Sequence, residues 1–171
     1  MSIPMAAALA AGLVASLNLL LTFGVIRRLR EHTKLLATRS EHAPAPQPGH
    51  AIGEFNTTSV DGVAVTREWV ERQGVVAFLS PGCEACEEAL APLTDYVRGV
   101  GRALVVVEGE DTETRRIADA FDGLATVVTQ RPAVADPVRE AFGVKAFPIV
   151  MTVGDGAVTA VLEPAAYGHA R

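Results

Sequence analysis

Residues 75–86 read Val75-Val-Ala-Phe-Leu-Ser-Pro-Gly-Cys-Glu-Ala-Cys86. The unbroken apolar run Val75 to Leu79 has the length and content of a strand buried on both faces. Pro81-Gly82 breaks it. A helical pattern then begins at once: Ala89, Leu90, Leu93, Val97 and Val100 recur at three- and four-residue intervals, the apolar stripe of a helix from about Cys83 to Arg98. Cys83 and Cys86 fall in its first turn and are the only cysteines among 171 residues, so any intrachain disulfide joins them to each other.

Outward from this stretch the chain alternates. Upstream, Ile52 to Phe55 and Val63 to Val65 flank Asp61-Gly62, which predicts a hairpin, and Arg67 to Arg72 reads as a short helical turn carrying Trp69. Downstream, Ala103 to Val107 is a second buried strand, Thr112 to Phe121 a helix capped by Asp111, Leu124 to Thr129 a third strand, and Pro137 to Phe142 a short helix. Pro148 to Val153 and Ala157 to Leu162 are strands joined at Gly154-Asp155-Gly156. This order predicts an α/β fold: a mixed, mainly parallel sheet flanked by helices, with antiparallel strands at one edge.

The first 49 residues belong to something else. From Met5 to Ile26 there is no charge, and twenty-two residues at 1.5 Å each span about 33 Å, enough for a hydrocarbon core of about 30 Å. Residues 1–36 therefore read as a single-pass transmembrane anchor with a juxtamembrane extension, and the lipid bilayer as the partner of residues 5–26. A cleaved signal peptide is the weaker reading, because no positive n-region precedes the run and the charges follow it. Residues 37–49, with Pro44, Pro46 and Pro48, form a stiff tether, and residues 50–171 the folded domain.

The charges divide the same way. Residues 1–48 carry a balance of +3 and the remainder −8, within a net charge of −5. An acidic domain excludes nucleic acid as a partner, since phosphate binding needs clustered cations. Arg27, Arg28, Arg30, Lys34 and Arg39 all follow the apolar run, which by the positive-inside rule places the domain on the cytoplasmic face.

A CxxC at a helix start puts the first sulfur beside unpaired N–H groups and the positive end of the helix dipole, a setting for a nucleophilic thiolate. The spacing lets the second thiol reach the first. Cys83 is then the nucleophile and Cys86 the resolving thiol of a redox-active disulfide, Cys83–Cys86, with no other cofactor. The alternatives are a buried inert pair or half of a zinc site. Zinc needs two further ligands, and His32, His42 and His50 lie in or beside the tether and His169 in the terminal tail.

With the CxxC and Phe147-Pro148 at the start of a late strand, residues 50 to 162 resemble the membrane-anchored thioredoxin-like proteins of the TlpA and ResA type. The run FLSPGC is also similar to that of the methylamine-utilisation accessory (MauD-like) branch. The resemblance implies a thioredoxin-like fold, a cis Phe147–Pro148 peptide facing the dithiol, a protein thiol or disulfide substrate, an upstream electron donor, and an extracytoplasmic domain. The last stands against the charge flank.

Several positions depart from that pattern. Gly82 precedes Cys83 where a tryptophan is common. Ala77 and Ala89 occupy the two places where an internal carboxylate is usual, and Pro92 stands one position late. Glu84, Glu87 and Glu88 surround the cysteines. Only nine residues follow Leu162, too few for the usual last helix. The expected function is a membrane-tethered thiol–disulfide oxidoreductase. A peroxiredoxin-like thiol peroxidase has Ser80 in its favour and Val76, in place of an upstream proline, against it; a non-catalytic assembly module is the third reading.

Overall fold

The computed structural model describes residues 46–72, 74–131 and 136–167, together with 12, 13, 16, 18, 19, 21–24 and 28. The chain forms two units, Met1–His42 and Ala43–Arg171. The described residues of the first unit are helical. Among them no helix is long and apolar enough to cross a membrane, and most of the run from Met5 to Ile26 lies outside the described residues.

The second unit runs β1 (Asn56–Thr58), β2 (Ala64–Thr66), α1 (Arg67–Val70), β3 (Val75–Leu79), α2 (Glu84–Val100), β4 (Ala103–Glu108), α3 (Thr112–Asp119), β5 (Thr126–Gln130), α4 (Pro137–Ala141), β6 (Ile149–Gly154), β7 (Ala157–Leu162) and α5 (Pro164–Tyr167). One five-stranded sheet has the order β5-β4-β3-β6-β7, and β1 and β2 form a separate antiparallel pair. β3, β4 and β5 are parallel, while β6 and β7 are antiparallel additions on one side.

Strict alternation along the central strands explains why both faces are buried. Val76, Phe78, Leu104 and Val106 point into one core, and Val75, Ala77, Leu79, Val105 and Val107 into the other. The first core is closed by Phe55, Val70, Val138 and Phe142, and the second by α2 and α3 through Cys86, Ala89, Leu93, Val97 and Ile117. Asp111 caps α3, accepting from Thr114 N at 2.8 Å.

One expectation needs correction. The first arm of the amino-terminal hairpin is Asn56–Thr58, not Ile52–Phe55. Ile52 and Phe55 are buried as irregular backbone: Ile52 N donates to Gly156 O and Gly53 N to Ala141 O, so tertiary bonds replace a ladder. The residues after Leu162 do form a helix, though of four residues only, and its Tyr167 is buried. The contacts of the amino-terminal segment with the sheet begin upstream of residue 50: Gly49 N donates to Val158 O at 2.8 Å, and Ala51 bridges Ala157.

Candidate active site

The site lies at the carboxyl end of β3, where the central strand leaves the sheet. Gly82 adopts φ +72°, a left-handed conformation that L-residues resist, within the four-residue turn from β3 into α2. Cys83 follows with extended backbone (φ −92°, ψ 111°) as the cap of α2. Its Sγ accepts the hydrogen bond from Cys86 N at 3.3 Å, so the sulfur occupies the place that a serine or aspartate oxygen takes in an ordinary cap. From the other side it approaches the carbonyl oxygen of Phe147 at 3.7 Å. The Phe147–Pro148 peptide is cis. Residues 64 apart in the chain thus meet because β6 pairs with β3, Ile149 lying opposite Phe78.

The two thiols are free and unequal. Cys83 is half-buried, whereas Cys86 is 2% exposed within the core between the sheet and α2. Burial pushes the Cys86 thiol well above its ordinary value, the neighbouring Cys83 and Glu87 push the same way, and the backbone of Ser80 opposes them. Ala77 and Ala89 are buried in this same core, which therefore has no carboxylate at either place. Among the described residues, no three His, Cys, Asp or Glu side chains converge as metal ligands. Val76, where the peroxidase reading wants a proline, lies in mid-strand between Leu104 and Met151, a position proline cannot share without losing ladder bonds.

Two further features escaped the sequence. Gly109, just past β4, has φ +140°, and a Cβ there would fall 2.2 Å from Thr114 Oγ1 and 3.1 Å from Pro81 Cγ. Its bare backbone lets the β4–α3 loop close against the active-site turn. The second is Arg116 on α3, whose Nη2 donates to both oxygens of Glu87 at 2.5 and 2.6 Å while Nε donates to Glu113 at 2.8 Å. One of the three carboxylates around the dithiol is therefore paired, and Glu84 and Glu88 are exposed. An Arg116→Ala change frees the Glu87 charge beside Cys86. The pH of half-maximal Cys86 alkylation is expected to rise by about half a unit or less, the partners being solvent-exposed. The shift should vanish in a Glu87→Gln background; persistence there would mean that Arg116 acts by another route.

Comparison with solved structures finds the same architecture elsewhere. The chain is similar to a thio-disulfide isomerase from Thermus thermophilus, at 20% identity and a TM-score of 0.50 over 70% of this chain and 86% of that one. The chain has a thioredoxin-like fold. It is also similar to a secreted Mycobacterium tuberculosis disulfide oxidoreductase homologous to E. coli DsbE, at 16% identity and a TM-score of 0.49 over 67% and 91% of the two chains. A thioredoxin family thiol:disulfide interchange protein from Chlorobium tepidum TLS matches at 16% identity and a TM-score of 0.47, over 75% and 94%. No family model matches the sequence, and a search of curated proteins found no match. In this thioredoxin-like chain the dithiol and the cis proline occupy one end of the sheet.

Proposed function

We propose that this chain is a membrane-tethered thiol–disulfide oxidoreductase acting on disulfides of a partner protein. The observation that carries the reading is the asymmetry of the pair: a half-buried Cys83 sulfur held between the Cys86 N–H and the Phe147 carbonyl, with the second thiol buried one helical turn behind it. In the first step the Cys83 thiolate attacks a substrate disulfide. One substrate sulfur bonds to Cys83 and the other leaves as a thiolate that takes up a proton. In the second, Cys86 attacks Cys83 Sγ, the Cys83–Cys86 disulfide forms, and the departing substrate thiolate carries off the Cys86 proton. Two electrons pass to the substrate, and an upstream dithiol donor restores the pair.

The tether rests on the apolar run from Met5 to Ile26, much of it outside the described residues. Within it, Leu13, Leu19, Leu21 and Phe23 are 63–75% exposed, apolar surface of the kind a bilayer covers. Ser16 Oγ and Thr22 Oγ1 donate to the carbonyls of Gly12 and Asn18, so neither hydroxyl needs water. The cations after the run favour a domain on the cytoplasmic face. The exposed Glu84 and Glu88 favour a partner that is neutral or basic around its disulfide.

A Cys86→Ser variant of the full chain tests the reading. After an oxidising pulse it should accumulate as a mixed disulfide with its partner, visible on non-reducing gels and confined to the membrane fraction. No trapped species would remove the oxidoreductase reading, and a trapped species in the soluble fraction would remove the anchor. Protection of Cys83 from an impermeant maleimide in intact cells is the expected sign of the cytoplasmic face; labelling would reverse it.

A further inference from the structure

Ala77 from β3 and Ala89 from α2 are small residues of the buried cluster that holds Cys86. A residue from near the other end of the chain joins this cluster. Tyr167, on the short helix α5, is 2% exposed and belongs to the same buried cluster as Cys86, Ala89 and Leu93. Its ring leans on that of Tyr96, with centroids 6.4 Å apart and planes inclined at 55°. Helix α5 packs against both α2 and β7, which fixes where that ring stands. We propose that Tyr167 is a positioning residue for the resolving thiol, its ring walling the chamber around Cys86 so that the thiol is kept from water until Cys83 carries a mixed disulfide. This rests on the oxidoreductase reading above and adds to it a residue outside the CxxC stretch.

The charges around the chamber agree with that role. From its own helix Cys86 faces Cys83 and Glu87, the latter paired with Arg116 of α3. The sheet beneath offers Ala77, Leu79 and Val150, none of which titrates. From the last segment come Tyr167 and, further out, Glu163. Burial pushes the Tyr167 phenol above its ordinary value, and Cys86 and Glu163 add to it. The wall is thus an uncharged phenol, which adds no second anion beside the sulfur.

The test uses the full chain in a Cys83→Ser background, where Cys86 is the one thiol left. Its alkylation by iodoacetamide is followed by mass spectrometry from about pH 6 to about pH 11, the range over which an ordinary thiol passes to thiolate. With Tyr167→Ala the midpoint should fall towards an ordinary thiol value of about 8.5, and the rate near neutral pH should rise roughly tenfold or more as thiolate becomes available. Tyr167→Phe should keep the slow rate and high midpoint. Val97→Ala, which opens a cavity in the same cluster eleven residues from Cys86, should loosen the fold without moving the midpoint.

An unmoved midpoint in Tyr167→Ala overturns the proposal, as does a Phe variant that behaves like Ala. Where circular dichroism shows the Ala variant unfolded, Tyr167→Leu replaces it. An intermediate midpoint supports the wall, and one equal to that of Phe overturns it. Disulfide reduction by the same variants with both cysteines present is read separately. Its absence from the native chain would end the oxidoreductase reading and leave the alkylation result standing, whereas normal reduction with unshifted alkylation would end only the role of Tyr167.

Discussion

The Cys83→Ser protein is expected to reduce a model disulfide no faster than dithiothreitol alone, a loss of roughly a thousandfold or more in catalysed rate. The size follows from the geometry. Cys83 Sγ alone is both half-exposed and held by the cap N–H of α2, while Cys86 is 2% exposed and pushed towards the protonated form by burial. Cys86 therefore cannot take over the first attack. The Cys86→Ser protein should behave differently: one equivalent of substrate thiol released in a rapid first turnover, then a stall. Equal turnover by both variants would show that the two sulfurs are interchangeable and that the buried position of Cys86 does not govern the order of attack.

The largest effect on stability is expected at Phe142. It is fully buried beyond the end of α4, with the ring of Phe78 at 5.4 Å edge-on and that of Phe55 at 5.8 Å. Phe78 lies on the central strand and Phe55 leads into β1, so this one side chain joins the sheet, α4 and the amino-terminal hairpin. Phe142→Ala removes the apolar burial and leaves a cavity, at a cost of about 3–5 kcal/mol, a large part of the 5–15 kcal/mol typical of a whole domain. Urea unfolding followed by Trp69 fluorescence should show it, since Trp69, the only tryptophan, packs on the same cluster. Val100→Ala, at a position 40% exposed, should change stability by about 0.5 kcal/mol or less. Comparable losses in the two would mean that Phe142 does not link these elements.

Legibility in the sequence followed the physics of each signal. The central strands showed because burial on both faces demands unbroken apolar runs, and α2 showed because seventeen residues repeat the helical period often enough to be seen. The β6–β7 turn was equally plain: Asp155 and Gly156 both take positive φ, which a two-residue hairpin turn requires. Ile52 and Phe55 misled because they are apolar for a tertiary reason: both are buried in the core on irregular backbone, held by Ile52 N to Gly156 O and Gly53 N to Ala141 O. Helix α5 is four residues long, so no period could announce it. At the site, the meeting of Cys83 with Phe147 was implied by resemblance alone, and the pairing of Glu87 with Arg116, 29 residues away, left no local trace.

The outer strands of the sheet have a consequence for association. On one side the segment from Gly49 to Ile52 lies along the start of β7, with Gly49 N and His50 O bonded to Val158. On the other, Val60 N of the amino-terminal hairpin donates to Val127 O of β5 at 2.8 Å. Backbone groups at the start of β7 and at Val127 of β5 are engaged within the chain, so a foreign strand extending the ladder there would have to displace them. Growth by edge-to-edge pairing, the usual route from an open sheet to aggregates, is hindered at these points.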